Sequence, residues 1–259
     1  MSAEVFIVTS GKGGSGKSTA TVNLGAALAK RNQRVLLIDG DIGLRNLDLF
    51  LGAESEGVFH LLDVANGNCT CKEAVISDRR FSCLDLLLAP QTAEKSALTP
   101  TMIKELCESA KEEYDYIFLD APAGTEAGFS NLCAAATRAI VLATPDVLSV
   151  RNTDKIITAL ENAGIRKQEL LINRVRTDLI QNGVQQKIEA VMDELGIPLI
   201  GIVPEDDEAP GAVRAGEPLI LNSKSRAGKA FTNIACRIAG EDVPLMELDE
   251  KRKWLGKKR

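Results

Sequence analysis

A glycine-rich loop between a predicted strand and a predicted helix constrains this chain most. The apolar residues 5–8 lead into a loop that fits the pattern G-x-x-x-x-G-K-[ST] from Gly11 to Ser18, and small helix formers follow. Glycines leave successive backbone N–H groups free to point at phosphate oxygens, beside the positive end of the next helix. The pattern therefore predicts a nucleotide-phosphate site, with Lys17 on the β- and γ-phosphates and Ser18 as a ligand of Mg²⁺. The loop also contains a second lysine, Lys12.

The rest of the chain alternates short apolar runs with amphipathic segments. This alternation predicts an α/β fold, a doubly wound and mostly parallel β-sheet with helices on both faces, in a single domain over residues 1–243 followed by a tail at 244–259. The predicted strands are 5–8, 34–38, 81–88, 114–120, 138–144, 169–173 and 199–203, and the predicted helices are 17–31, 47–62 (broken), 100–113, 149–163, 184–195 and 225–239.

Polar residues follow several of these strands, and ligands of such sheets bind at the carboxyl ends of strands. Asp39 and Asp41 follow the second strand, where a carboxylate can hold the Mg²⁺ shell or orient a water for in-line attack on the γ-phosphate. Asp120 ends an apolar run, as a Walker B carboxylate does, and the amide of Asn173 can pair with an adenine edge. Each residue alone is compatible with a cap or a turn, whereas all of them on one edge favour a hydrolytic site.

Charge and cysteine content restrict the class of protein. The last nine residues carry six basic side chains, which leaves 25 basic and 36 acidic side chains in residues 1–250, a net charge of −11. An acidic body is a poor DNA-binding surface. No run of 18 apolar residues predicts a transmembrane helix, and residues 1–4 do not resemble a signal peptide. The six scattered cysteines and one histidine predict reduced structural thiols in a cytoplasm rather than a metal site.

Five segments carry a family resemblance: GKGGSGKST, DGDIGLRNLD (39–48), DAPAG (120–124), INR (172–174) and IVPED (202–206). Together they resemble the MinD family of septum-site-determining ATPases. That family belongs to the deviant Walker A group, which also includes ParA partition ATPases and the nitrogenase iron protein.

The resemblance implies a role for each matching residue. Lys12 corresponds to the signature lysine, which reaches the partner's nucleotide across an ATP-dependent homodimer. Asp41 is expected to position the attacking water, with Lys12 and Lys17 as the other catalytic residues. Ser18, Asp39 and Asp120 are expected to hold Mg²⁺. The expected ATP contacts are Gly11, Lys12, Gly13, Gly14, Ser15, Gly16, Lys17, Ser18, Thr19, Asn173, Arg174, Pro204, Glu205 and Asp206. Ser15 and Gly40 stand where the family more often has valine and alanine.

The basic tail resembles, in shortened form, the amphipathic helix by which the family binds membranes as an ATP-bound dimer. On a helix, Leu248, Trp254 and Leu255 would span an arc of about 120°. One such tail is expected to bind an anionic surface marginally, and two tails on a dimer act as a bivalent anchor. The resemblance therefore implies a cytoplasmic ATPase that is peripheral on the inner face of the cell membrane when ATP-bound. It also implies two partners, the division inhibitor MinC and the regulator MinE.

Other functions stay open on the sequence alone. A ParA-type DNA- or cargo-partitioning ATPase would use the same site with a basic surface. A flagellar-number regulator of the same group usually carries an extension before the loop. An iron–sulfur carrier would need further cysteines near Asp120, and a non-hydrolysing nucleotide module would not need Asp41 and Lys12. The tail itself could be a solvated basic segment or a nucleic-acid contact.

Overall fold

One sheet of eight strands carries the glycine-rich loop. The computed structural model of the chain describes residues 3–43, 45–53, 58–94 and 97–248. The sheet order is β3-β4-β2-β5-β1-β6-β7-β8, and every neighbouring pair is parallel except β3 with β4. The predicted doubly wound, mostly parallel sheet is thereby confirmed. The strands are β1 (Glu4–Ser10), β2 (Val35–Asp39), β3 (Ile76–Ser77), β4 (Leu84–Leu87), β5 (Tyr116–Asp120), β6 (Arg138–Ala143), β7 (Lys167–Val175) and β8 (Leu199–Pro204).

Helices connect the strands and cover both faces. They are α1 (Lys17–Ala29), α2 (Leu47–Leu51), α3 (Leu61–Ala65), α4 (Cys71–Ala74), α5 (Pro100–Ala110), α6 (Ala127–Cys133), α7 (Val147–Asn162), α8 (Thr177–Gln181), α9 (Ile188–Leu195), α10 (Ala209–Ala215) and α11 (Arg226–Ile238), with a 3₁₀ turn at Leu219–Leu221.

The core consists of two apolar layers, one on each face of the sheet. Successive side chains of β1 enter different layers, with Val5 and Ile7 in one and Phe6 and Val8 in the other. Phe6 also stacks on Phe118 of β5, with ring centroids 5.1 Å apart. Burial on both faces explains the continuous apolar runs of the strands, because each buried side chain contributes about 1.5–3 kcal/mol. The sheet is therefore a rigid support for the loops at its carboxyl edge.

Several boundaries differ from the sequence prediction, and helices α4, α6, α8 and α10 were not predicted. Helix α9 begins at Ile188, four residues after the predicted start. Residues before it form a loop because Gln185 bonds to β7 and its surroundings: its Oε1 accepts from Arg176 N (2.8 Å) and its Nε2 donates to Arg174 O (3.0 Å). Strand β4 begins at Leu84 instead of residue 81, and the two-residue antiparallel strand β3 was not predicted.

The segment 241–248 lies against the domain and leads toward the basic tail. The guanidinium of Arg237 donates to the carbonyls of Ile200, Val243 and Pro244. Arg226 Nη2 donates to Leu248 O at 2.6 Å, and the half-buried Leu248 side chain packs on the core. Trp254 and Leu255, the other predicted membrane contacts, lie outside the described residues. In the ranges that the structure describes, no helix is long and apolar enough to cross a membrane.

Candidate nucleotide-binding site

The loop between β1 and α1 has a backbone that only glycine accommodates at two points. Gly14 and Gly16 have φ angles of 74° and 96°, in the left-handed region that favours glycine. A Cβ on Gly16 would also lie 2.3 Å from the Nδ2 atom of Asn173. Gly11 packs against α7, where a Cβ would lie 2.3 Å from the carbonyl carbon of Asn152. Contacts with β7 and α7 thus hold the loop in its conformation.

Two serine side chains stabilise the loop through hydrogen bonds. The buried Ser15 Oγ donates to Ser10 Oγ at 2.7 Å, and Ser10 Oγ donates to Lys12 O at 2.9 Å. Asn173 Nδ2 donates to Ser15 O at 2.7 Å. These bonds give Ser15, which was also predicted as an ATP contact, a definite structural role, and its contact with ATP stays a prediction. They also use one amide donor of Asn173, whose pairing with adenine stays a prediction.

The floor of the site holds a buried carboxylate. Asp120 Oδ2 accepts from Ser18 Oγ at 2.6 Å, and its Oδ1 accepts from Thr21 Oγ1 at 3.0 Å. Burial and the neighbouring Asp39 raise the pKa of Asp120 to about 7. Burial lowers the pKa of the Lys17 ammonium, against the opposing charges of Asp120 and Asp41. Burial makes the negative charge of Asp120 unfavourable without a cation nearby. Its carboxylate and the hydroxyl of Ser18 therefore suit Mg²⁺, which prefers oxygen ligands.

Asp39 has a structural role that its position at the end of β2 did not reveal. Its Oδ1 accepts from Asp41 N (3.0 Å), and its Oδ2 accepts from Asn46 N (2.8 Å) and Leu47 N (3.1 Å). Burial raises the pKa of the Asp39 carboxyl although these bonds oppose the shift. Asp39 therefore fixes the segment that carries Asp41 and the start of α2. Direct contact between Asp39 and Mg²⁺ stays a prediction.

A cavity of about 790 Å³ opens at the carboxyl edge of the sheet. This volume is within the range of small-molecule sites. The cavity brings together most of the predicted site residues: Gly13, Gly14, Gly16, Lys17, Ser18, Thr19, Asp41, Asp120, Arg174, Glu205 and Asp206. The structure thus brings these residues to one cavity, and their contacts with nucleotide stay predictions.

The remaining predicted residues lie around that cavity. Lys12 and Ser15 line an adjoining cavity of about 510 Å³. Pro204 lines a third cavity, which also contacts Leu248. Gly11, Asp39 and Asn173 line none of these three cavities. Their contacts are with neighbouring segments of the chain.

Lys12 does not line the cavity of about 790 Å³ beside the phosphate loop. Its Nζ is 3.7 Å from Asp146 Oδ1, and the side chain is 49% exposed. Asp146 caps α7 by accepting from Ser149 N at 2.9 Å, and its Oδ2 accepts from the Thr144 hydroxyl at 2.6 Å. Burial alone would raise the pKa of Asp146, but these bonds and the charge of Lys12 lower it. The next residue, Val147, is 66% exposed, so an apolar side chain adjoins the ion pair.

The loop after β8 is fixed by Asp206. This carboxylate accepts from Ser225 Oγ (2.7 Å), Ala227 N (2.9 Å) and Glu208 N (3.0 Å). Although burial opposes the shift, these bonds lower the pKa of Asp206. On the opposite side, Arg174 adopts φ 58° and its Nε is 3.6 Å from Glu205 Oε2. Both acids thus have protein partners as well as a place in the lining.

Sequence reasoning missed the apolar part of the cavity. Phe50 of α2 lines it together with Ala209, Pro210 and Val213 of α10. No motif marks these residues, because they are apolar and far apart in the chain. The aromatic Phe50 beside DGDIGLRNLD (39–48) was the one available signal.

The raised pKa of Asp120 predicts a pH-dependent stability. Since this pKa is about 7 in the folded protein and 3.8 for an ordinary aspartate, the folded state binds the extra proton between these values, and stability falls as pH rises across that window. Without nucleotide and Mg²⁺, Asp120→Asn should therefore gain stability relative to the wild type as pH rises from about 4 to about 7, then level off. Urea unfolding at several pH values measures this difference.

A control of opposite sign is available at Asp115. The hydrogen bond and charge of Arg34 lower the pKa of Asp115, so its ionised form stabilises the fold. Asp115→Asn should therefore lose stability relative to the wild type as pH rises through the acidic range. A pH-independent effect of Asp120→Asn would contradict the proposed titration.

The glycine-rich cradle, its lysine and the buried Asp120 at the carboxyl ends of parallel strands define a P-loop nucleotide-binding protein. The family of the CobQ/CobB/MinD/ParA nucleotide binding domain matches residues 6–219. The septum site-determining protein MinD of Bacillus subtilis (strain 168) is 44% identical over 254 residues, which cover 97% of this chain and 95% of the relative. The chain therefore belongs to the MinD family.

Solved structures agree with this membership. The MinC:MinD cell division protein complex of Aquifex aeolicus contains a chain with a TM-score of 0.85 and 39% identity, covering 95% of this chain and 99% of that one. MinD of Pyrococcus horikoshii OT3, complexed with Mg-ADP, has a TM-score of 0.82 and 28% identity, covering 91% of this chain and 96% of that one.

Proposed function

We propose that this protein is an ATP-dependent, membrane-cycling ATPase that helps to position the cell-division septum. The observation that carries the proposal is the convergence of Lys17, Ser18, Asp41 and Asp120 on one cavity beside the glycine cradle. Binding of Mg-ADP by the Pyrococcus relative supports a nucleotide and magnesium at this place. The name of the Bacillus relative supports the role in septum placement.

Each residue has a role that follows from its position. The loop amides and Lys17 bind the phosphates, and the hydroxyl of Ser18 and the carboxylate of Asp120 are the proposed ligands of Mg²⁺. When bound, Mg²⁺ neutralises charge on the phosphates. Asp41, held through its backbone N–H by Asp39, orients the water that attacks the γ-phosphate. Arg174 and the loop of Glu205 and Asp206 face the base and the ribose.

We propose that the site is completed by a second copy of the chain. Lys12 lies outside the main cavity and pairs with Asp146 in a half-exposed ion pair, which is worth about 1 kcal/mol at most. The pair is therefore easily exchanged for a nucleotide phosphate of another copy. A cation that arrives only on dimerisation neutralises charge that develops during phosphoryl transfer.

The dimer is the proposed species that binds partners and membrane. The MinC:MinD complex of Aquifex supports a MinC-type division inhibitor as one partner. A MinE-type regulator is proposed by family resemblance alone. Partial burial of Trp254 and Leu255 would contribute roughly 3 kcal/mol per tail, and each nearby basic residue adds about 1 kcal/mol at best. Two such tails bind together, whereas one binds marginally.

Vesicle sedimentation tests this function. The full chain should sediment with phosphatidylglycerol-rich vesicles in Mg-ATP and remain in the supernatant in Mg-ADP. Trp254→Glu with Leu255→Glu should weaken ATP-dependent sedimentation by about tenfold or more, because each dimer loses both apolar contacts. The variant should keep its nucleotide affinity, since the substituted residues belong to the proposed tail and not to the proposed nucleotide site.

The matched control is Leu245→Glu, which changes an exposed leucine on the segment that contacts the domain. It should sediment as the wild type does. Equal sedimentation of the tail variant in ATP would place the membrane contact elsewhere. ATP-dependent binding of duplex DNA without vesicle binding would favour the partitioning ATPase instead.

A further inference from the structure

Two short helices form the apolar wall of the nucleotide cavity, and site carboxylates hold their amino-terminal ends. Asp39 accepts from the backbone N–H of Leu47, the first residue of α2. Asp206 accepts from the backbone N–H of Glu208, the cap of α10. Phe50 of α2 and Val213 of α10 both line the cavity. The position of this wall therefore depends on how the two helices are fixed at their other ends.

A single arginine from the β3–β4 connection holds both carboxyl-terminal ends. Arg80 Nη2 donates to Leu51 O, the last residue of α2, at 2.9 Å. Arg80 Nη1 donates to Gly216 O, the cap of α10, at 2.7 Å. Such terminal carbonyls have no partner within their own helix, so one guanidinium satisfies an acceptor at the end of each.

The orientation of Arg80 is itself determined by a buried acid. Asp78 Oδ2 accepts from Arg80 Nη2 at 2.6 Å, and Asp78 Oδ1 accepts from Arg80 Nε at 3.1 Å and from the Arg80 backbone N–H at 2.7 Å. The Asp78 side chain is only 5% exposed. A planar guanidinium held on one edge by a carboxylate presents its other donors in a fixed direction.

Direct backbone contact brings the two helix ends together. Gly52 and Gly216 cap α2 and α10 with φ angles of 65° and 64°. A Cβ on Gly216 would lie 2.5 Å from the Cα of Gly52, so any larger residue there separates the helices. Arg80 bridges the helices at this glycine contact, behind the wall and outside the nucleotide cavity.

We propose that Arg80 is a positioning residue that sets the separation of α2 and α10, and thereby the affinity of the cavity for the base and ribose of the nucleotide. This proposal rests on the proposed ATP site. It concerns only the apolar wall, because the phosphate cradle is held separately by Ser10, Ser15 and Asn173. Loss of Arg80 should therefore weaken ATP more than a ligand made of phosphates alone.

Binding of two probes to Arg80→Gln tests the proposal. Mg-ATP should bind about tenfold more weakly than to the wild type, whereas Mg-tripolyphosphate should bind within about twofold. In turnover the KM for ATP should rise about tenfold with kcat nearly unchanged, as for lost ground-state binding. Gly216→Ala, which separates α2 from α10 without removing Arg80, should give the same pattern. Arg80→Lys keeps the charge but lacks the fork, and should fall in between.

Arg34→Gln is the matched control. Arg34 likewise binds a carboxylate, Asp115 (Nη2 to Oδ1 2.7 Å), and a carbonyl, that of Glu112 (3.3 Å), before the amino end of β2 and away from the cavity. It should leave both probes unaffected. Unchanged ATP binding in Arg80→Gln, or equal losses for ATP and tripolyphosphate, would overturn the positioning role. Failure of the wild type to bind ATP would overturn the proposed function instead.

Discussion

Replacing Lys12 with alanine should lower ATP turnover by about 10²–10³-fold at saturating protein concentration, with nucleotide binding to the monomer retained. Lys12 is half exposed, pairs with Asp146 and lines a cavity next to the phosphate cavity, so its charge contributes little to nucleotide binding within one copy. Turnover, in contrast, needs the positive charge of Lys12 beside the transferred phosphoryl group. Steady-state turnover and equilibrium binding of ATP separate the two effects.

Mixing two inactive variants determines whether Lys12 acts between copies. Asp41→Ala should bind ATP without turning it over, and its Lys12 is intact. In an equal mixture with Lys12→Ala, half of the dimers are mixed and each has one complete site, so turnover should recover to about a quarter of the wild-type value. Lys30→Ala, an exposed lysine at the far end of α1, is the matched control and should behave as the wild type. Absence of recovery would mean that Lys12 acts on its own nucleotide.

The second large effect is expected for Gly16→Ala, which should reduce ATP affinity by about 100-fold. The new Cβ would lie 2.3 Å from Asn173 Nδ2, on a residue with φ 96°. The loop would have to move away from Asn173, and its amides would lose their alignment toward the phosphates. Isothermal titration with Mg-ATP measures the loss.

A second substitution separates the two sources of strain. In Gly16→Ala with Asn173→Ala the clash is removed, but the left-handed backbone remains and the bond from Asn173 to Ser15 O is lost, so affinity should recover only in part, and Asn173→Ala alone measures the loss of that bond. Gly211→Ala in α10 controls for the change itself, since a Cβ there has no neighbour within 4 Å. Wild-type affinity in Gly16→Ala would contradict the assignment of this loop as the phosphate cradle.

The phosphate-binding part of the site was predictable because the residues that form it are neighbours in the sequence. Gly14, Gly16, Lys17 and Ser18 lie within five residues, and backbone requirements alone fix their chemistry. Asp41 and Asp120 were predictable because apolar runs mark where parallel strands end. Their convergence needed no knowledge of side-chain contacts.

The apolar wall was not predictable because it depends on contacts between distant segments. Phe50 and Val213 line one cavity from helices that are far apart in the chain, and Arg80 joins the ends of these two helices. The bonds of Asp39 are similar, since it accepts from the N–H of Leu47 in α2 and from that of the N-cap Asn46, which its own position does not indicate. Sequence spacing contains no signal for such bonds.

The two borders of the sheet have a consequence for self-association. On one border, β3 has only two residues. On the other border, β8 pairs with β7 through Leu199 and Gly201, and Ile200 between them forms a bulge. The carbonyl of Ile200 accepts from Arg237, which also donates to the carbonyls of Val243 and Pro244. Short or bulged margins that carry a charge and a covering segment resist strand addition by another molecule. Both borders of the sheet are therefore protected against growth into β-linked fibrils.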